Sequence, residues 1–106
     1  MANTFKNFAV ADVGTSGSTV LTATTATTLI GVTVANIITS TITVDVYLTI
    51  SATDYYIVKG AVIPVGGALV PVGGDQKVVL ETGDALKVVC SVDTSADVIA
   101  SVLEIT

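Results

Sequence analysis

The stretch Thr41-Ile42-Thr43-Val44-Asp45-Val46-Tyr47-Leu48-Thr49-Ile50 decides the fold class. Its apolar residues fall at every second position, which puts Ile42, Val44, Val46, Leu48 and Ile50 on one face and Thr41, Thr43, Asp45, Tyr47 and Thr49 on the other. A period of two belongs to a strand with one face in a core and one face wetter. The same stretch answers a membrane question. From Leu29 to Ile50 the only charge is Asp45, over a length close to the roughly 20 residues a spanning helix requires. The window is nevertheless dense in Thr, contains Asn36, breaks at Thr39-Ser40-Thr41 and then alternates, so strands are expected and a membrane span is not.

Outward from this segment, Val, Ile and Thr dominate, and their β-branched side chains suit a pleated surface better than a helix. Upstream, strands are expected over Phe5 to Val13, Ser18 to Thr22 and Thr28 to Asn36. Gly14-Thr15-Ser16-Gly17-Ser18 supplies the first turn, Ala23-Thr24-Thr25-Ala26-Thr27 a connection and Ile37 to Ser40 another turn. Downstream, Ala52-Thr53-Asp54 turns the chain into Tyr55 to Lys59 as an antiparallel hairpin that Gly60 ends. Ile63-Pro64-Val65-Gly66-Gly67 is then answered by Val70-Pro71-Val72-Gly73-Gly74. Proline cannot donate to a ladder and paired glycines allow a tight turn, so each copy marks an edge or corner. The remaining strands are Gln76 to Leu80, Ala85 to Val92 and Asp97 to Ile105. Eight short strands at this spacing predict an all-β antiparallel sandwich or a jelly-roll-like small barrel, in one domain over residues 1–106.

Composition narrows function. The chain is 51% hydrophobic and 12% charged, about half the usual ~25% charged share, which suits a protein whose apolar surface is covered by neighbours. All four cations are lysines, widely spaced at Lys6, Lys59, Lys77 and Lys87, and the net charge is −5. Nucleic-acid binding needs clustered cations to displace counterions, so it is not expected. The N-terminal run Met1 to Lys6 lacks the basic start and apolar core of a secretory signal, and export by that route is not expected. Cys90 is the single cysteine, which rules out an intrachain disulfide.

No catalytic constellation emerges. Histidine is absent, which removes the commonest neutral-pH base and every triad built on it. Cys90 lies in the apolar run Val88-Val89-Cys90, as a buried strand residue would. No Ser-x-x-Lys spacing offers Lys59 or Lys87 as a serine activator. The carboxylate pairs Glu81/Asp84 and Asp93/Asp97 read as turn residues, and no calcium-loop spacing or phosphate-binding Gly-Lys-Ser/Thr element occurs. Neither an enzyme nor a cofactor or metal is expected. The residues expected to matter are those that shape turns, Gly66, Gly67, Gly73, Gly74, Gly83 and Asp84, and a possible contact surface of Tyr47, Tyr55 and Tyr56. Those tyrosines could pack in a core or interface, or offer a platform to a sugar.

Tyr56-Ile57-Val58-Lys59-Gly60, Ile63-Pro64-Val65-Gly66-Gly67 and Gly74-Asp75-Gln76-Lys77-Val78-Val79-Leu80-Glu81-Thr82-Gly83-Asp84-Ala85-Leu86-Lys87-Val88 resemble small β-sandwich virion proteins of tailed bacteriophages, of the type infecting aquatic bacteria and cyanobacteria. The resemblance covers about half the chain and centres on Leu-Glu-x-Gly-Asp-x-Leu-x-Val at Leu80 to Val88. It implies a structural part of the particle, a capsid decoration or cement protein or a neck or tail component, assembled in the host cytoplasm. Its partners would be other virion proteins and further copies of itself, a trimer among the symmetries allowed. The alternative is a module that binds a glycan or another host-surface group.

Overall fold

The computed structural model describes residues 3–73 and 77–105. Nine strands occur among them, and no helix: β1 Asn3–Val13, β2 Ser18–Thr22, β3 Ala26–Asn36, β4 Ile42–Ile50, β5 Thr53–Ile63, β6 Ala68–Val72, β7 Val78–Leu80, β8 Ala85–Cys90 and β9 Ala96–Ile105. They form two antiparallel sheets. The first runs β1-β9-β3-β6, with β7 pairing β3 beyond β6 along the same edge, and the second runs β2-β8-β4-β5. With β6 and β7 taken as one interrupted strand, this is the order of a jelly roll, an eight-stranded double Greek key. The β4–β5 hairpin is the one pairing of consecutive strands among the described residues.

The alternation read from the sequence builds the core. Ile42, Val44, Val46 and Leu48 of β4 are buried, Ile50 is half-buried, and Val98, Ala100 and Val102 of β9 face them from the first sheet's inner side. Few polar groups enter, and each that does is bonded. Buried Asn36 donates from Nδ2 to the carbonyls of Ser40 (2.8 Å), Ile63 (3.1 Å) and Pro64 (3.3 Å) and accepts the Ile38 amide at Oδ1 (3.0 Å). One amide thereby fixes the end of β3 to the 37–40 turn and to the β5–β6 corner, which offsets the cost of burying it.

Several expected boundaries change. The Ala26-Thr27 pair belongs to β3, so the connection before it is shorter than expected. The β4–β5 turn is Ser51-Ala52, not Ala52 to Asp54. Both residues have positive φ (51° and 67°), the two-residue geometry whose twist matches paired strands. Gly60 does not end β5. The strand runs on to Ile63 through an irregularity in its pairing with β4, where the Gly60 amide donates to Asp45 Oδ1 at 2.7 Å. A further strand, β6, occupies Ala68–Val72 and contains Pro71, tolerated because β6 lies at a sheet edge. The sandwich therefore has nine strands where eight were expected. The two Pro-Gly-Gly copies are not equivalent. Pro64 to Gly67 forms the β5–β6 corner, closed by the Gly67 amide on the Pro64 carbonyl (3.0 Å), whereas Pro71 and Val72 sit within β6. Gly74 and Gln76 lie outside the described residues.

The β7–β8 turn is the most constrained. The Asp84 amide donates to the Glu81 carbonyl (2.9 Å), Asp84 Oδ2 accepts the Glu81 amide (2.9 Å), and the Gly83 amide reaches the Ala23 carbonyl (2.8 Å). Gly83 has φ +97°, and a Cβ there would meet nothing within 4 Å, so the barrier to a side chain is conformational and not steric crowding. Gly83→Val should therefore destabilise the fold by more than about 1 kcal/mol, and Gly83→Asn by less. Unchanged thermal melting of the valine variant would contradict this.

Candidate functional site

Cross-strand register determines which side chains meet on each outer face, because residues directly opposite in a ladder share a face. On the second sheet, Thr19 of β2 pairs with Lys87 of β8, Lys87 with Tyr47 of β4, and Tyr47 with Tyr56 of β5. A single row, Thr19-Lys87-Tyr47-Tyr56, thus crosses all four strands. The two tyrosine rings lie 5.0 Å apart at a tilt of 36°, and Lys59 Nζ sits 4.9 Å from the centre of the Tyr56 ring. Both are favourable aromatic geometries. Partial burial pushes the Tyr47 hydroxyl above its ordinary pKa, helped by Asp54, Tyr56 and Asp45, so it stays a neutral donor. Each of those carboxylates already accepts a hydrogen bond: Asp54 Oδ1 from Thr49 Oγ1 (2.7 Å) and Asp45 Oδ1 from the Gly60 amide.

Beside Tyr47 the 16–19 segment leaves a cleft of about 180 Å³, lined by Ser16, Gly17, Ser18, Thr19, Tyr47 and Lys87. Half-buried Lys87 has no carboxylate within ion-pair distance, unlike Lys6, which pairs with Glu104 at 3.0 Å. Of the three tyrosines expected to act together, Tyr47 and Tyr56 do meet. Tyr55 pairs opposite core-facing Leu48 and is exposed on the other side of β5. Sequence reasoning did not find Ser16, Ser18, Thr19 or Lys87; alternation puts Lys87 on an outer face, but only the β2-β8-β4 register brings it beside Tyr47.

The first sheet has a different outer face. One row joins Phe5, Leu103, Thr28 and Val79 across β1, β9, β3 and β7, and another joins Ala9, Ile99 and Thr33. Phe5 is 75% exposed, Val79 64%, Val70 60% and Ile99 55%. Among the paired outward positions of β9 and its neighbours, Asp97 at one end is the sole charge.

The turn residues fall at corners of the sandwich. Gly66 (φ +75°) is the third residue of the β5–β6 turn, where a type II geometry demands positive φ. A Cβ on Gly67 would come within 3.0 Å of Pro64, and one on Gly73 within 3.0 Å of Val70. Asp84 caps its own turn, as described above. Cys90 is free and buried, and burial pushes its thiol above the ordinary range. No group of three or more metal-ligating side chains occurs among the described residues. The Asp93/Asp97 pair divides between two clamps. Asp93 Oδ1 accepts from Thr15 N (2.9 Å) and Thr15 Oγ1 (2.7 Å), tying the β1–β2 turn to the β8–β9 loop, and Asp97 Oδ1 accepts from Asp12 N (3.1 Å), tying the end of β1 to the start of β9.

No protein-family model matches the chain, and no curated protein is significantly similar to it.

The Thr15 hydrogen bonds hold the Asp93 carboxyl below the usual aspartate range. Because the folded value is the lower one, the stabilisation is present above the ordinary aspartate pKa of about 3.9 and is lost as pH falls through the folded value. Melting temperature should therefore drop on acidification from about pH 5 to about pH 2 by more in the wild type than in Asp93→Asn. Equal slopes would contradict a role for this clamp. Burial also predicts that Cys90 reacts with a thiol reagent only as fast as the protein unfolds; immediate labelling of the native chain would contradict it.

Proposed function

We propose that this chain is a structural subunit of a tailed-phage virion, a capsid decoration or cement protein or a neck or tail component, working through protein contacts and not catalysis. The observation that carries the reading is the outer face of the first sheet, with Phe5, Val70, Val79 and Ile99 exposed and Asp97 the sole charge among the paired outward positions of β1, β9 and β3. Four large apolar side chains on one face are more than the scattered exposure of an ordinary monomer. The occupant of this face is a second copy of the chain. Each copy carries −5, so copies repel least where negative charge is sparse, and among the paired outward positions of β1, β9 and β3 Asp97 alone is acidic. The oligomer would then sit on shell or tail proteins and add contact area, which stabilises an assembly by binding its folded state. The jelly-roll order and the phage-like Leu80 to Val88 segment support the placement on a virion.

Light scattering over a concentration series tests this. The wild type should be a defined oligomer, and a Val79→Lys/Ile99→Lys double variant should be monomeric yet still folded by circular dichroism, since both positions are exposed, with a melting temperature that no longer rises with protein concentration. A wild-type chain that is monomeric at every concentration and ignores purified tailed-phage particles would overturn the proposal.

A further inference from the structure

We infer that the outer face of the second sheet carries a binding site for one carboxylate-bearing sugar residue, seated in the cleft between the 16–19 segment and Tyr47. The site uses none of the residues of the proposed assembly face, so the two readings fail independently. Its chemistry follows from the lining. Ser16, Ser18 and Thr19 offer hydroxyls that both donate and accept, as a polyol requires. Tyr47 adds an aromatic ring, partly covered by Tyr56, and a hydroxyl that stays protonated. Lys87 supplies the cation, and its lack of a carboxylate partner leaves the ammonium available to a ligand. A cleft of about 180 Å³ falls below the ~300 Å³ at which drug-sized pockets begin, so it suits a single ring.

The charges select the anion. One free ammonium stands in the cleft, while Asp45 and Asp54 lie close enough to perturb Tyr47. A dianionic phosphate would feel the field of both carboxylates, which stand outside the cleft lining, with only one cation to offset it. A monoanionic carboxylate matches Lys87 at lower repulsive cost. The ligand class is therefore a uronic acid or similar acidic sugar at the end of a glycan.

The test is a titration of the ¹⁵N-labelled full chain with methyl glucuronide, methyl glucoside and acetate, read from amide shifts. The glucuronide should produce saturable shifts centred on residues 16–19, Tyr47 and Lys87. The glucoside should need about ten-fold more ligand, the difference one charge-assisted hydrogen bond makes. Lys87→Gln, with unchanged melting, should abolish that preference and retain the weaker binding. Absence of saturation, equal affinity for the two glycosides in the wild type, the same shifts with acetate alone, or a preference that survives Lys87→Gln would each overturn the inference.

Discussion

The structure depends on one strand being bonded on both sides by strands from the opposite end of the chain. β9 pairs with β1 over Asn3 to Val13 and with β3 over Ala26 to Asn36, so its inward residues Val98, Ala100 and Val102 each sit between two neighbours of the same face. Val98 lies between Val10 and Val34, Ala100 between Phe8 and Val32, and Val102 between Lys6 and Leu29. β8 does the same in the second sheet, between β2 and β4. Until these last strands insert, β1 and β2 have no partner within their own sheets and the inner faces stay wet. Both sheets therefore close only when the end of the chain arrives, which makes the fold cooperative and topologically slow.

Much of this was legible in the sequence because it is local. The period of two at Thr41 to Ile50 located β4 and its buried face, and Gly-rich or Asp-containing turns bounded β2, β8 and β9 closely. The failures have local causes as well. β6 escaped because Pro71 argues against a strand, and only its edge position makes the proline harmless. Ser51 and Ala52 lack the Gly or Asn that usually marks a turn with two positive φ values, so the hairpin was placed late. Gly60 read as a stop because a glycine at an irregularity and a glycine at a strand end look alike in one dimension.

The candidate site shows the same division. Alternation assigned Tyr47 to the wetter face of β4, and that is where it lies. Which of Tyr55 and Tyr56 would join it depended on the register of β5, and which cation and hydroxyls would face it depended on β8 and β2, more than 25 residues away in either direction. Such placements are set by pairing between distant strands, not by propensity. The outcome is a molecule with two unlike outer faces: one apolar and nearly uncharged, suited to a neighbour of the same charge, the other rich in hydroxyls, tyrosine and lysine around a small cleft. A sandwich can keep two such faces apart because the core separates them.

Residue-resolved amide hydrogen exchange of the native protein tests the central claim, that β8 and β9 hold the two sheets together, most directly. The inner amides of these two strands should exchange most slowly, at the rate set by global unfolding, with β1 and β5 at the sheet edges faster. Exchange in β9 as fast as in β1 would mean that the last strand is not bonded on both sides, and would contradict this architecture.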